Sequence, residues 1–222
     1  MIEIDVLRHD RALTVVRADN IPDAVDLCNA LSAGGIRTVE LTFTTPDVLH
    51  HVNRAASAAE STNVVLGVGT VMTGEQARAA IDAGARFLVT PGIRTEVAMV
   101  ATANSIPVFL GAATPTEVAI AVDLGSVAVK IFPARALGPA YLTDLRGPYP
   151  DIELLPSGGI NAANARAFLA AGALAVCAGT SIVPPASIAA GNWSDITDRA
   201  KQFVAALTPA DSHVSRSLLE RP

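Results

Sequence analysis

One pattern recurs along this chain and limits its fold more than any other feature. A helical stretch ends in glycine, and a short β-branched run follows within about three residues. Four copies have this form, at residues 33–41, 82–89, 123–129 and 171–176. Because glycine adopts the left-handed conformation that ends a helix, each copy predicts a helix followed at once by a strand. Strands that alternate with helices predict a parallel sheet covered by its crossover helices.

Four more apolar, β-branched runs lie between these copies and bring the predicted strands to eight. They are placed near residues 13–18, 38–43, 64–70, 87–91, 107–111, 127–132, 152–157 and 174–179. Helices fill the intervals, and the last is predicted over 193–207. Eight βα units of roughly 25 residues predict a single (β/α)₈ TIM barrel. It covers residues 1–207, and a polar, flexible tail follows over 208–222. A doubly wound sheet is the alternative, but no single G-x-G-x-x-G fingerprint follows the first strand.

Helix starts carry signals of their own. Residues 114–117, Thr-Pro-Thr-Glu, have the pattern of a capping box with proline at the first helical position. Thr45, in the segment Thr-Pro-Asp, and Ser194, before Asp195, are further predicted N-caps. These signals agree with the helix positions that the barrel requires.

Composition and charge exclude several classes of protein. Hydrophobic residues make up 50% and charged residues 17%, which suits parallel strands buried on both faces. The net charge of −5, with no basic stretch interleaved with aromatics, argues against nucleic acid as a partner. No apolar run approaches the roughly 18 residues of a membrane span, and no signal peptide is recognisable, so a cytoplasmic location is expected. Cys28 and Cys177 are predicted to be small buried hydrophobes in a reducing cytoplasm.

Only two of the 16 basic residues are lysines, and one of them, Lys130, lies in the apolar run 127–133. A lysine amine can lose its proton near neutral pH and attack a carbonyl, whereas a guanidinium cannot. The alternative is a strand-end lysine whose apolar stem lets the amine reach water. The other lysine, Lys201, has the pattern of an ordinary exposed helical residue.

Strand alternation predicts which side chains point into the barrel. The large aliphatic residues of the second and sixth strands suit the helix side. That phase turns inward Glu40, Thr42 and Thr44 on the second strand, and Ala128, Lys130 and Phe132 on the sixth. On the first strand Val16 faces outward, so Arg17 faces inward near the carboxyl end.

A buried carboxylate and a buried amine are costly unless they are paired or used. For Glu40 the structural alternative is an ion pair with Lys130 or Arg17. Catalytic groups of these barrels lie at the carboxyl ends of the strands. A lysine with a nearby glutamate is sufficient for Schiff-base chemistry, in which the amine forms an iminium and the carboxylate moves protons.

Glycine-rich segments end three of the predicted strands. Residues 157–161 and 178–181 follow strands seven and eight, where this fold often binds phosphate, although plain tight turns are the alternative. Residues 66–71 end strand three, where the glycines are expected to let a ligand approach the backbone and Thr70 to offer a hydroxyl to a carboxylate. The four histidines, His9, His50, His51 and His213, lie outside the strand ends without ligand spacing, so no metal is expected.

Six stretches together resemble the 2-keto-3-deoxy-6-phosphogluconate (KDPG) aldolase family, which includes 4-hydroxy-2-oxoglutarate (KHG) aldolases. They are residues 39–44, 67–71, 90–92, 114–117, 130–134 and 157–160, in family order. The resemblance implies a homotrimeric class I aldolase that needs no cofactor. It also implies a phosphorylated keto acid as substrate, with pyruvate and glyceraldehyde 3-phosphate as products.

The resemblance assigns roles to individual residues. Lys130 matches the Schiff-base lysine, and Glu40 the general acid/base that acts through a water. Thr70 matches a ligand of the pyruvate carboxylate. Matches to residues that line the site or bind phosphate are Pro91, Phe132, Gly158, Gly159, and Thr180 or Ser181.

Three positions depart from the family pattern. Thr44 stands where many members have an arginine that contacts substrate, and Arg17 is the candidate to supply the missing cation. Ser157 replaces a common threonine but keeps the hydroxyl, and Leu110 replaces a frequent proline. The first departure leaves two other substrates open, namely KHG and the galactonate epimer of KDPG. A phosphate-binding barrel isomerase or synthase and a non-catalytic binder are more distant alternatives.

Overall fold

The computed structural model describes residues 3–208 and contains a closed barrel of parallel strands. The strands are β1 (Ala12–Val16), β2 (Thr38–Thr42), β3 (Val65–Gly69), β4 (Leu88–Val89), β5 in two segments (Val108–Phe109 and Gly111–Ala112), β6 (Val129–Ile131), β7 (Leu154–Ile160) and β8 (Val176–Ala178). Each strand pairs with its neighbours in the sheet, and β8 pairs with β1. The first segment of β5 pairs with β4 and the second with β6, which closes the ring. The TIM barrel prediction is confirmed, and the doubly wound alternative is wrong. The predicted tail lies outside the described residues from position 209 onward.

Helices surround the barrel and connect successive strands. They are α1 (Glu3–Asp10), α2 (Ala24–Ala33), α3 (Val48–Ser57), α4 (Ala59–Thr62), α5 (Gly74–Asp82), α6 (Thr95–Ala103), α7 (Pro115–Asp123), α8 (Ala134–Arg146), α9 (Ala165–Ala170), α10 (Pro185–Ala189) and α11 (Trp193–Leu207). None of the described helices is long and apolar enough to cross a membrane. The short helix α1 was not among the predicted elements.

Two apolar cores fill the molecule, one on each side of the barrel wall. The larger core lies between strands and helices and contains Val16, Val39 and Ile131. The smaller core fills the inside of the barrel, where Leu7 of α1 packs with Leu13 and Phe87. Helix α1 therefore contributes an apolar side chain to the barrel interior. The outward position of the large aliphatics confirms the predicted strand phase.

Two of the three predicted helix caps need correction. The capping box of α7 is confirmed: Thr114 Oγ1 accepts from the Glu117 N–H at 3.3 Å, and the Glu117 carboxylate accepts from the Ala113 N–H at 2.9 Å. Thr45 is not an N-cap, because its hydroxyl instead accepts a hydrogen bond from the Ala18 N–H. Ser194 is not one either. The side chain of Asn192 accepts from the Asp195 N–H and caps α11.

The glycines that were predicted to follow strand seven form a bulge inside β7, so the expected end of the strand near residue 157 is wrong, and so is the alternative of a plain tight turn. Ser157 pairs with Cys177 of β8, and the next pair is Ile160 with Ala178. Between these two pairs, β7 advances by three residues while β8 advances by one. Gly158 and Gly159 both have positive φ, 94° and 81°, which glycine adopts without the strain of a side chain.

The glycines of β3 make room for side chains of the two neighbouring strands, and not for a ligand as expected. A Cβ on Gly67 would lie 2.3 Å from the Phe87 ring of β4. A Cβ on Gly69 would lie 1.7 Å from Glu40 Oε1 of β2. Gly67 therefore admits an aromatic ring to the apolar part of the interior, and Gly69 admits the buried carboxylate above it.

We predict that Gly69→Ala lowers the free energy of unfolding by about 1–3 kcal/mol, the usual cost of overpacking a filled interior. Urea unfolding would measure the change. Gly92→Ala is the matched control, because a Cβ at Gly92 would meet no atom within 4 Å. Equal stabilities of the two variants would contradict this role of Gly69.

Candidate active site

A cavity of about 400 Å³ opens where the strands end at their carboxyl termini. Its lining comes from strand ends and the segments that follow them. The lining residues are Val15, Arg17, Thr70, Pro91, Lys130, Phe132, Arg135, Ser157, Gly158, Gly159, Ile160, Cys177, Gly179 and Thr180. This is the face on which barrels of this kind carry their catalytic residues.

Lys130 and Glu40 meet at the base of this cavity. The Lys130 Nζ lies 3.7 Å from Glu40 Oε1, and their side chains are 8% and 1% exposed. Because Lys130 is buried to this degree, its amine does not extend to bulk water, as a snorkelling lysine would. The predicted inward positions of both residues are confirmed.

The Glu40 carboxylate is buried without the hydrogen bonds that such a group normally has. Neither of its oxygens has a hydrogen-bond partner among the described residues. The ion-pair distance to Lys130 is longer than a hydrogen bond, and the Arg17 guanidinium bonds elsewhere. A buried, unsatisfied carboxylate is costly, so this site suits a water or substrate hydroxyl that donates to Glu40.

Arg17 connects three strand ends at the mouth of the cavity. Its guanidinium donates to the hydroxyls of Thr44, at 2.5 Å, and Thr70, at 3.2 Å. Thr44 is in turn 2.9 Å from the Thr42 hydroxyl. Thr70 has φ 57°, which is uncommon for a residue with a branched side chain and holds its hydroxyl at the cavity wall. The structure thus places the Arg17 cation beside position 44, and Arg17, not Thr44, lines the cavity.

The fourth strand reaches the cavity through a tight contact with β5. Pro91 lines the cavity, and a Cβ on Gly111 would lie 2.3 Å from the Pro91 carbonyl carbon. The Thr90 hydroxyl donates to the Gly92 carbonyl at 2.6 Å and accepts from the Gly111 N–H at 3.2 Å. These contacts hold Pro91 against the barrel wall.

Three of the four residues assigned to a phosphate pocket line the cavity, and one does not. Gly158, Gly159 and Thr180 lie in its wall. The Ser181 hydroxyl instead donates to the Ile160 carbonyl at 3.1 Å, which ties the segment after β8 to the bulge of β7. Ser157, 5% exposed, also lies in the wall.

Sequence reasoning missed five residues of the lining, Val15, Ile160, Gly179, Cys177 and Arg135, and only the last two carry a titratable side chain. Cys177 faces the interior opposite Ser157, and burial raises the pKa of its thiol to about 12, so it remains protonated at neutral pH. Side chains alternate along a strand, so an inward Ala175 would have predicted an inward Cys177. Arg135 lines the cavity from the second position of α8. Its place directly after the carboxyl end of β6 was the available signal.

Cys28 is buried in the outer core, and burial raises the pKa of its thiol to about 12 as well. Both described cysteines are free and buried, as predicted. Within residues 3–208, no group of three or more His, Cys, Asp or Glu side chains is arranged to hold a metal ion. His213 lies outside that range.

The charged side chains in the cavity lining are all cationic although the chain is acidic, and the Glu40 carboxylate lies below the lining beside Lys130. Lys130, Arg17 and Arg135 line the cavity, and none of the lining residues is acidic. The chain as a whole carries a net charge of −5. A concave wall with one sign of charge attracts ligands of the opposite sign, so the cavity suits an anion.

Comparison with known proteins identifies the family. Residues 3–199 match the family model described as "KDPG and KHG aldolase". The chain is 38% identical over 199 residues to the 2-dehydro-3-deoxy-phosphogluconate aldolase of Treponema pallidum, covering 89% of this chain and 94% of that one. It is 32% identical over 200 residues to the KHG/KDPG aldolase of Escherichia coli K12, covering 90% and 93%.

A solved structure supports the same assignment. The KDPG aldolase of Legionella pneumophila, with pyruvate captured as a covalent carbinolamine, superposes with a TM-score of 0.81 at 31% identity. The match covers 90% of this chain and 97% of that one. The chain therefore belongs to the KDPG and KHG aldolase family of class I pyruvate aldolases, which confirms the resemblance found in the sequence.

Proposed function

We propose that this protein reversibly cleaves 2-keto-3-deoxy-6-phosphogluconate to pyruvate and glyceraldehyde 3-phosphate through a Schiff base on Lys130. The observation that carries the proposal is the buried pair of Lys130 Nζ and Glu40 Oε1, 3.7 Å apart at the base of an otherwise basic cavity. The amine is the nucleophile for the substrate ketone, and the carboxylate is the base beside it.

The steps balance without an oxidant or a metal. The neutral Lys130 amine attacks the C2 carbonyl, and the carbinolamine loses water to give an iminium. Glu40, through a water, accepts the C4 hydroxyl proton, the C3–C4 bond breaks, and its electrons enter the iminium to form an enamine. The aldehyde leaves, C3 takes a proton back, and water hydrolyses the iminium to pyruvate and free Lys130. The unsatisfied Glu40 oxygens leave room for the water that this scheme requires.

The two ends of the substrate match opposite parts of the cavity wall. The carboxylate of the keto acid lies against Thr70 with Arg17 beside it, where hydroxyl and guanidinium donors meet. The phosphate lies against Gly158, Gly159 and Thr180. Pro91, Phe132 and Ser157 line the space between. KHG has a second carboxylate and no phosphate. Comparison of kcat/KM for KDPG, its galactonate epimer and KHG would distinguish the three substrates.

Trapping of the Schiff base tests the mechanism directly. We expect incubation with pyruvate and borohydride, in the presence of EDTA, to leave a covalent adduct on Lys130 that mass spectrometry locates. Lys130→Met should lose cleavage activity by several orders of magnitude, as expected when a covalent nucleophile is removed. Lys201→Met is the matched control, because Lys201 is the exposed lysine of α11. An adduct on Lys201, or no adduct at all, would refute the mechanism. Inhibition by EDTA would show that a metal takes part.

Arg17 is proposed to replace the arginine that many family members have at position 44. We predict that Arg17→Met raises KM for KDPG by about 10- to 100-fold, the usual effect of losing a hydrogen bond to a charged group, while kcat changes less. Arg17→Lys should restore part of the affinity, because it returns the charge without the planar fork. Steady-state kinetics would measure both variants. An unchanged KM in Arg17→Met would exclude this role.

A homotrimer is proposed from the positions of the exposed apolar side chains. Within residues 3–208, the large hydrophobic side chains that are exposed follow one another around the barrel from β3 to the end of β6. They are Met72, Met99, Ile120, Val122 and Val127, while Phe132, which is also exposed, lines the substrate cavity. Exposed large apolar side chains on successive elements of a barrel are candidates for a subunit contact.

We expect light scattering on a sizing column to give three times the chain mass. Met99, 65% exposed, tests the surface, and Met99→Asp should shift the equilibrium toward smaller species because it places a charge in an apolar contact. Gln202→Asp on α11 is the control. A wild-type monomer at micromolar concentration would contradict the proposal.

The cytoplasmic location remains a prediction.

A further inference from the structure

Arg135 holds a position in the cavity wall that neither the family resemblance nor the sequence pattern assigned. It is the second residue of α8 and lines the cavity together with the β7 bulge. Its side chain is exposed at the mouth, on the side formed by β6 and β7. Lys130 is buried below it, five residues earlier in the chain.

The Arg135 guanidinium has no partner within the described part of the chain. No hydrogen bond or ion pair joins it to a residue of the range 3–208, whereas Arg17, in the same wall, donates to two threonine hydroxyls. Among the described residues, none that lines the cavity carries a carboxylate that could neutralise it. An arginine with all its donors available, beside a concave surface, is suited to bind an anion with planar, bidentate geometry.

The stem of Arg135 packs directly on the bulge. A Cβ on Gly159 would lie 2.6 Å from Arg135 Cβ, 3.3 Å from Cδ and 3.4 Å from Nε. Gly159, with φ 81°, therefore allows the arginine to lie along the backbone of the bulge. The Arg135 stem is packed against Gly159, so less side-chain freedom is lost when a ligand binds there.

Two carbonyl oxygens of the bulge, which would repel an anion, each accept a hydrogen bond from a side chain that does not line the cavity. The Asn164 side-chain amide donates to the Gly159 carbonyl at 2.9 Å. The Ser181 hydroxyl donates to the Ile160 carbonyl at 3.1 Å. Neither Asn164 nor Ser181 lines the cavity, so the two donors reach these carbonyls from outside its lining. The wall next to Arg135 is thereby left with its positive character.

We propose that Arg135 binds the phosphate of the substrate and makes this enzyme selective for phosphorylated over unphosphorylated keto acids. The inference rests on the proposed function, because it assigns a ligand to one end of the same cavity. Arg135 is a specificity residue: it contacts the phosphate, which is remote from the C3–C4 bond that breaks. Its loss is therefore expected to weaken binding through KM and to leave the chemistry at Lys130 intact.

The test compares Arg135→Met with wild type on two substrates that differ only in the phosphate, KDPG and 2-keto-3-deoxygluconate. Methionine keeps an apolar stem on Gly159 and removes the charge. We expect kcat/KM for KDPG to fall by about 10- to 100-fold, through KM, and kcat/KM for the unphosphorylated acid to change less than about 2-fold. Arg135→Lys should recover part of the loss. Arg78→Met, an exposed arginine on α5, is the control for the loss of one charge.

A binding measurement separates this inference from the proposed function. Calorimetric titration with glycerol 3-phosphate requires no Schiff base, and we expect its Kd to rise in Arg135→Met as KM does, while pyruvate trapping on Lys130 is unchanged. Normal trapping with unaltered phosphate binding would overturn the role of Arg135 alone. Absent trapping in the wild type would overturn the aldolase mechanism, and the titration would still report on Arg135. Equal losses on both substrates would show that the residue is structural, and would also overturn the proposal.

Discussion

The buried contact between Lys130 and Glu40 is the constraint on which the rest of the barrel depends. A carboxylate and an amine can share a buried site only if they are close, and close approach requires space that a barrel filled by side chains does not offer. Gly69 supplies that space, because any Cβ there would overlap the Glu40 carboxylate. The ion pair therefore requires three strands to be placed together: β2 for the acid, β6 for the amine and β3 for the missing side chain.

The barrel interior has two parts along its axis, an apolar part and a polar part that contains the Lys130–Glu40 pair. Its amino-terminal part is apolar, with Leu7, Leu13 and Phe87 packed together, and Gly67 admits the aromatic ring. Its carboxyl-terminal part is polar and open. Stability and chemistry thus occupy different levels of one interior: the packed level fixes the strands, and the strands hold Lys130 and Glu40 at 3.7 Å. A site built on strands is held more rigidly than one built on loops.

Strand positions and the inward direction of Glu40 and Lys130 could be predicted from sequence because both follow from local alternation. The function of Gly69 could not, since it depends on which side chain a neighbouring strand points at it. The bulge at Gly158 was mistaken for a turn for the same reason: two adjacent glycines indicate positive φ, but only pairing with β8 shows that the strand continues. Cys177 could have been found from the alternation of its strand, and Arg135 from its position just after the end of β6. No feature of the sequence around Leu7 distinguishes a helix that fills the barrel from an unpacked N-terminal segment.

The use of lysine and arginine in this cavity follows from what each cation can do. Arg17 and Arg135 stand exposed at the mouth, where a permanent charge attracts and orients an anion at any physiological pH. Lys130 stands buried at the base, where the proposed Schiff base needs an amine that can lose its proton and a guanidinium would be inert. This difference explains why position 130 has a lysine in a chain that mostly uses arginine. An arginine there would keep the charge and remove the nucleophile. Selection of substrate and formation of the covalent intermediate are assigned to different cations at different depths of one cavity.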